Sequence, residues 1–180
     1  MMAQQEQNLV WIDLEMTGLN PERNVILEIA SIITDSNLNI IALGPSLVIY
    51  QPEDMLNMME AWSHAQHTKS GLLDKVRTSH VSLQEAEQQT LSFIQQHCVQ
   101  GTALLAGNSV WQDRAFLRVY MPALINYLYY RLIDVTTIKE LVLRWYPNHA
   151  EFKKADTHRA LEDIQESIAE LCYYRENFFK

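Results

Sequence analysis

The stretch Asn8-Leu9-Val10-Trp11-Ile12-Asp13-Leu14-Glu15-Met16-Thr17-Gly18, apolar at first and then with acids at every second place, reads as a strand that runs into a turn. A second apolar run over 25–34, broken by Glu28, predicts another strand. Asp35-Ser36-Asn37 is a turn signal, so the run over 38–50 returns antiparallel as a hairpin. Gly44 and Pro45 inside it predict a bulge or an edge position, because proline cannot donate to a ladder. From residue 53 the period becomes helical: Met55, Met58, Met59 and Trp62 predict one helix ending near His67. A loop over 68–71 and a short helix over 72–76 follow. Ser82 with Glu85 forms a capping box that opens a strong helix, with Ala86, Leu91, Phe93 and Ile94 as its apolar stripe. Residues 103–106 read as a short buried strand and Asn108-Ser109 as a loop, and Asp113 begins a helix that Pro122 ends. A fifth strand over 132–134, a helix over 136–145 and a last helix over 158–177 complete the chain. The last helix carries Leu161, Ile164, Ile168, Leu171 and Cys172 on one face. Three antiparallel strands followed by helices and short strands predict an α/β protein with a sheet of mixed direction. No internal repeat or low-complexity tract interrupts residues 1–180, which predicts a single domain.

Composition narrows the function classes. With 48% apolar and 20% charged residues, the chain has the make-up of a soluble globule. No apolar run reaches membrane-spanning length, and the polar start over 1–8 is unlike a signal peptide, so no membrane partner is expected. Cys98 and Cys172 sit among apolar neighbours in helical patterns, which predicts reduced thiols and a cytoplasmic protein. The net charge of −8 argues against gripping long duplex nucleic acid, because such affinity scales with the phosphates neutralised by Lys and Arg. A short substrate escapes that requirement if bound metal supplies the positive charge.

The candidate chemistry begins in the first strand. Side chains alternate faces along a strand, so Asp13 and Glu15 point the same way. Two carboxylates at the end of an apolar strand repel each other unless a proton or a metal ion relieves them. Asp113 follows an apolar run after Asn108-Ser109, and Asp163 opens the last helix behind His158. Taken alone, Asp113 reads as a helix cap and Asp163 as a routine acid of a first helical turn. Asp163 lies off the apolar stripe beside Ala160 and Ser167, which leave room for an ion, whereas its rival Glu162 turns further toward solvent. On an ideal helix His158 and Asp163 lie about 140° apart, so His158 hangs from the entry to the helix rather than sharing its face. An imidazole, which ordinarily titrates near pH 6.5, suits the role of general base.

The stretch Trp11-Ile12-Asp13-Leu14-Glu15-Met16-Thr17-Gly18-Leu19 and the pair His158 and Asp163, with four residues between them, resemble the DEDDh family of 3′-to-5′ exonucleases, and within it the oligoribonucleases. The resemblance runs nearly end to end. It implies an RNase H-like α/β fold, a mixed five-stranded sheet with helices on both faces. It also implies two divalent ions, Mg2+ or Mn2+, roughly 3.5–4 Å apart, one activating the attacking water and the other neutralising the leaving oxygen. Asp13, Glu15, Asp113 and Asp163 would be the ligands, and His158 the base. Leu19 is similar to the family's apolar wedge between two bases. Trp62 and His67 are similar to its aromatic neighbours of the bases, where stacking contributes roughly 1–3 kcal/mol per base. Ser109 would meet a terminal phosphate or sugar. The run 126–131 reads plainly as buried core, but the resemblance implies a homodimer in which Tyr130 and Arg131 reach the partner's site and cap the 5′ phosphate.

The resulting expectation is hydrolysis of very short single-stranded RNA, dinucleotides in particular, to nucleoside 5′-monophosphates. The alternative within the family is an exonuclease acting on longer single-stranded DNA or RNA ends. The intact set of four acids plus His158 argues against a metal-bound nucleic-acid binding module without catalysis, and a purely structural dimerisation protein leaves the Asp13–Glu15 repulsion unexplained.

Overall fold

A computed structural model of the chain describes residues 7–149, 152–153 and 159–179. Five strands, β1 (Leu9–Met16), β2 (Ile26–Thr34), β3 (Ile40–Val48), β4 (Leu104–Gly107) and β5 (Leu132–Asp134), form one sheet in the order β3-β2-β1-β4-β5. β2 is antiparallel to both β1 and β3, and β4 is parallel to β1 and β5. Every residue of β2 is buried, as its unbroken apolar run requires of an interior strand. β3 lies at the edge, and its pairing with β2 shifts register opposite Gly44 and Pro45, so both halves of that expectation hold.

The helices are α1 (Glu53–Asn57), α2 (Ala61–Lys69), α3 (Leu72–Thr78), α4 (Leu83–His97), α5 (Trp111–Tyr120), α6 (Pro122–Tyr127), α7 (Val135–Trp145) and α8 (Ala160–Phe178). The alternation of β1 sorts them. Val10, Ile12 and Leu14 pack with Ala86, Ile94, Phe116 and Leu124, from α4, α5 and α6. Leu9 and Trp11 pack on the other face with Val135, Val142, Ala160, Ile164 and Ile168, from α7 and α8. Trp11 is fully buried, and its indole N–H donates to Thr34 Oγ1 at 3.0 Å. Cys98 belongs to the first of these clusters and Cys172 borders the second, so the two free thiols stand on opposite faces of the sheet.

Four readings change. The predicted single helix from 53 to His67 is two helices. Glu60, in the break, sends its N–H to the carbonyl of Thr17 at 2.9 Å and so ties the segment to the turn after β1. Met58 and Trp62 are exposed, and Leu56 supplies the buried contact. Pro122 ends nothing: α5 has already stopped at Tyr120, and the proline opens α6 at its first position, where a missing N–H is harmless. α5 begins two residues before Asp113, which therefore sits inside the first turn. On α4 the buried stripe is Ala86, Thr90 and Ile94, with Leu91 and Phe93 at its margins. The Ser82–Glu85 capping box forms as read.

Candidate metal centre

Asp13 and Glu15 continue the side of β1 that carries Trp11, so they face α8. α8 brings Asp163 down onto them one turn from its start. One oxygen from each of Asp13, Glu15 and Asp163 lies within 4.8 Å of the others. Residues separated by 150 positions are thus joined through the strand's two-residue period and the helix's docking on that face.

Asp113 arrives from the opposite side. β4 pairs with β1 over 9–11, and the carboxyl end of β1 extends beyond that pairing. The Leu14 N–H, between the two strand acids, donates to Asp113 Oδ1 at 3.0 Å. Asp113 is buried and flanks the group of three acids rather than belonging to it. The four acids meet at the carboxyl end of β1, beside which the neighbouring strands run in opposite directions, a common place for ligands in open α/β sheets. His158, read as the base, lies outside the described residues.

Burial dominates the electrostatics. It pushes Glu15 up to about 8 from 4.5, with Asp163, Glu28 and Asp113 adding repulsion and Arg159 opposing it. Burial also raises Asp113, against hydrogen bonds from the backbone that lower it. Such a site fits a divalent cation: several hard oxygen donors are crowded where their own charges are disfavoured. Below about pH 4.5 Glu15 is neutral in folded and unfolded chain alike, and the penalty is absent; above about 8 it is complete. The metal-free melting temperature should therefore fall from pH 5.5 to pH 8.5, and added Mn2+ should raise it more at pH 8.5. Equal increments at both pH values, measured by calorimetry, would contradict this electrostatic picture.

The substrate-side residues separate into two groups. Leu19 and Trp62 are 63% and 64% exposed, so Trp62 is not core packing on a Met-rich helix. The Leu19 turn is held from two sides: its N–H points to Glu60 Oε1 at 3.4 Å, and its carbonyl accepts from the Gln112 side chain. A Cβ at Gly18 would stand 2.4 Å from Glu60 Oε1 and 2.7 Å from Asn24 Nδ2, so a side chain there would have to displace both of these groups. His67, by contrast, presents no open ring face. It is 2% exposed, with Nε2 at 2.9 Å from the Met16 carbonyl and Nδ1 at 3.7 Å from Glu15 Oε2, so it braces the strand end.

Ser109 is exposed and holds a left-handed backbone (φ 49°), costly for a residue with a Cβ. Its N–H is shared by Asp134 Oδ1 and Thr136 Oγ1 at 3.0 and 2.9 Å. Asn108 ties the same loop to α8, donating to Ser167 Oγ at 2.8 Å and to Glu170 Oε2 at 3.0 Å. A pocket lined by Trp111, Asp134, Thr136 and Arg144, among others, opens next to this loop. Tyr130 is exposed, as is Arg131, and not core; the Arg131 Nε–H donates to the Tyr130 hydroxyl at 3.0 Å.

Sequence reasoning missed Gln112, Glu60 and Arg159. Gln112 and Glu60 act through the backbone of a distant turn, and no spacing rule announces such contacts. Arg159 had a visible signal, a cation beside His158, but its partner Glu28 is 131 residues away.

The exonuclease family model that includes RNase T matches residues 10–171. The oligoribonuclease of Shewanella loihica is 54% identical over 180 residues, covering 99% of each chain. That of Pseudomonas aeruginosa strain PAO1 is 54% identical over 178 residues, covering 98% of this chain and 99% of its own. Among solved structures, E. coli exonuclease I in complex with a dT13 oligonucleotide superposes with a TM-score of 0.70 at 14% identity, over 94% of this chain and 41% of that one. Exonuclease I from Methylocaldum szegediense gives 0.66 at 20% identity, over 96% and 41%. The chain spans about two fifths of those larger proteins, and the likeness is one of fold. With this sheet order, acids gathered at the end of its central strand, and end-to-end similarity at 54% identity to curated relatives, the chain belongs to the oligoribonuclease family of exonucleases.

Proposed function

We propose that the chain hydrolyses very short single-stranded RNA, dinucleotides in particular, from the 3′ end to nucleoside 5′-monophosphates. In this reading residues 1–180 act as a single exonuclease domain within a cytoplasmic homodimer. The observation that carries it is the group Asp13, Glu15 and Asp163, with oxygens within 4.8 Å of one another. Two divalent ions, Mg2+ or Mn2+, would supply the positive charge that both the phosphodiester and the crowded acids lack. Asp13, Glu15, Asp113 and Asp163 would hold them, and the neutral imidazole of His158 would take the proton of the attacking water.

Leu19 and Trp62 present two exposed apolar surfaces on segments joined through Glu60, suited to separating and stacking terminal bases. The exposed Ser109 side chain would meet a terminal phosphate or sugar. Arg131 and Tyr130 precede β5 while Asp134 ends it, so roughly 10 Å of strand separates them from the Ser109 loop. A second copy of the chain would bring them to a substrate end as a cap. The net charge of −8 supports a short substrate. No helix among the described residues is long and apolar enough to cross a membrane.

The test compares turnover of 5′-phosphorylated dinucleotides with that of a 20-mer, with and without Mg2+. Dinucleotides should be cleaved faster, and only with the ion. Equal rates on the 20-mer would move the assignment to longer single-stranded ends. Gln112 gives a second check, because it fixes the Leu19 turn to the helix that bears Asp113. Gln112→Leu should lower kcat/KM for a dinucleotide by about 10–100-fold through misplacement of the bases. Cleavage of a phosphodiester without bases, such as bis(p-nitrophenyl) phosphate, should stay near the parent rate.

A further inference from the structure

A fourth carboxylate shares the side of the sheet that carries the metal centre. Glu28 on β2 is the cross-strand partner of Glu15, so both side chains leave the same face. It is completely buried. A buried acid beside three others should be protonated or paired. It is paired: Arg159 donates to it through both arms, Nε to Oε2 at 3.0 Å and a terminal nitrogen to Oε1 at 2.6 Å. The Ala160 N–H, at the start of α8, also points at Oε2, 3.5 Å away. Arg159 is the residue from which α8 springs, and its carbonyl accepts the Asp163 N–H at 3.0 Å.

This arrangement has a chemical consequence for Glu15. A guanidinium is permanently charged, carries five donors, and takes a carboxylate in a two-point grip. Standing at the foot of α8, it feels three carboxylates, Glu28, Glu162 and Glu15, and it is Glu28 that holds it through both oxygens. Gripping Glu15 instead would occupy oxygens that a cation needs.

We infer that Glu28 is a positioning residue of the metal centre: it holds Arg159 off Glu15, leaving Glu15 open to a divalent ion. The inference rests on the reading of Asp13, Glu15 and Asp163 as a metal site. Glu28 itself is no ligand, because its oxygens are spent on Arg159 and the Ala160 amide. A pair that only stabilised the fold would make a different prediction. Removing Arg159 as well as Glu28 would then never improve metal binding.

The experiment measures Mn2+ binding to the full chain by electron paramagnetic resonance and by titration calorimetry, without substrate. Glu28→Gln keeps the size and one hydrogen-bonding oxygen but releases the guanidinium. It should weaken Mn2+ binding about 10–100-fold, the usual scale for groups that orient metal ligands. Adding Arg159→Gln removes the competitor and should bring affinity back to within about threefold of the parent, against that 10–100-fold loss. Parental affinity in Glu28→Gln, or a double variant no tighter than the single one, would overturn the inference while leaving the metal site standing. Failure of the parent chain to bind Mn2+ would instead remove the metal site and the inference with it. If Glu28→Gln does not fold, the double variant, which leaves no buried charge unpaired, decides alone. Near-parental Mn2+ affinity supports the inference, and a loss as deep as that of Asp163→Asn overturns it.

Discussion

The Glu15→Gln variant is expected to melt at a higher temperature than the parent chain in metal-free buffer at pH 8, and to turn over a dinucleotide about 10²–10³-fold more slowly. Both effects come from one carboxylate. Burial, aided by Asp163, Glu28 and Asp113, pushes Glu15 up to about 8 in the folded chain, against 4.5 for the free side chain. Between those two values the unfolded chain carries the charge and the folded chain does not, so the fold loses stability as pH rises through that window. A neutral amide of the same size escapes the penalty, which is on the order of 5 kcal/mol once the window is passed. The same change removes an anionic ligand, so Mn2+ should no longer restore the melting temperature. Below about pH 4.5 the two chains should melt alike as far as this residue is concerned. A variant that melts lower than the parent at pH 8 would show that Glu15 is held by attractions that outweigh its desolvation. Sites that bind charge commonly trade stability for function in this way.

His158→Ala tests the other half of the chemistry. Loss of a general base should lower kcat by about 10²–10⁴-fold. Mn2+ affinity should change little, because the imidazole is read as taking a proton and not as holding an ion. The pH profile separates this role from a structural one. The parent's rate should fall on the acidic side near the ordinary imidazole range, about 6.5, and the variant's residual rate should lack that limb. Unchanged turnover would remove His158 from the reaction. Loss of Mn2+ binding with loss of turnover would recast it as a ligand.

Much of this architecture is legible in local pattern. The period of two along β1 places Asp13 and Glu15 on one face before any fold is known. The capping box at Ser82, the turn at Asp35-Ser36-Asn37 and the edge position of the strand with Pro45 are local events, set by side chains within a few residues of one another. Where the reading fails, a distant partner has intervened. Residues 58–60 break a helical period because the Glu60 N–H goes to Thr17, which lies beyond any sequence window. His67 looks like an available ring in sequence, and becomes a buried brace because α2 packs against the end of β1.

By itself, then, the chain's sequence determined the five strands and most of the helices, which face of β1 is acidic, and which family the chain resembles, since each follows from periodicity or from motifs held within short spans. Tertiary structure alone decided that Asp163 joins Asp13 and Glu15 while Asp113 caps the Leu14 amide at their flank. It decided too that Glu28 answers Arg159 and that Gln112 holds the Leu19 turn. Those contacts depend on how a helix is rotated and docked on a sheet, which is set by the packing of many apolar side chains together, and no single stretch of the chain encodes it.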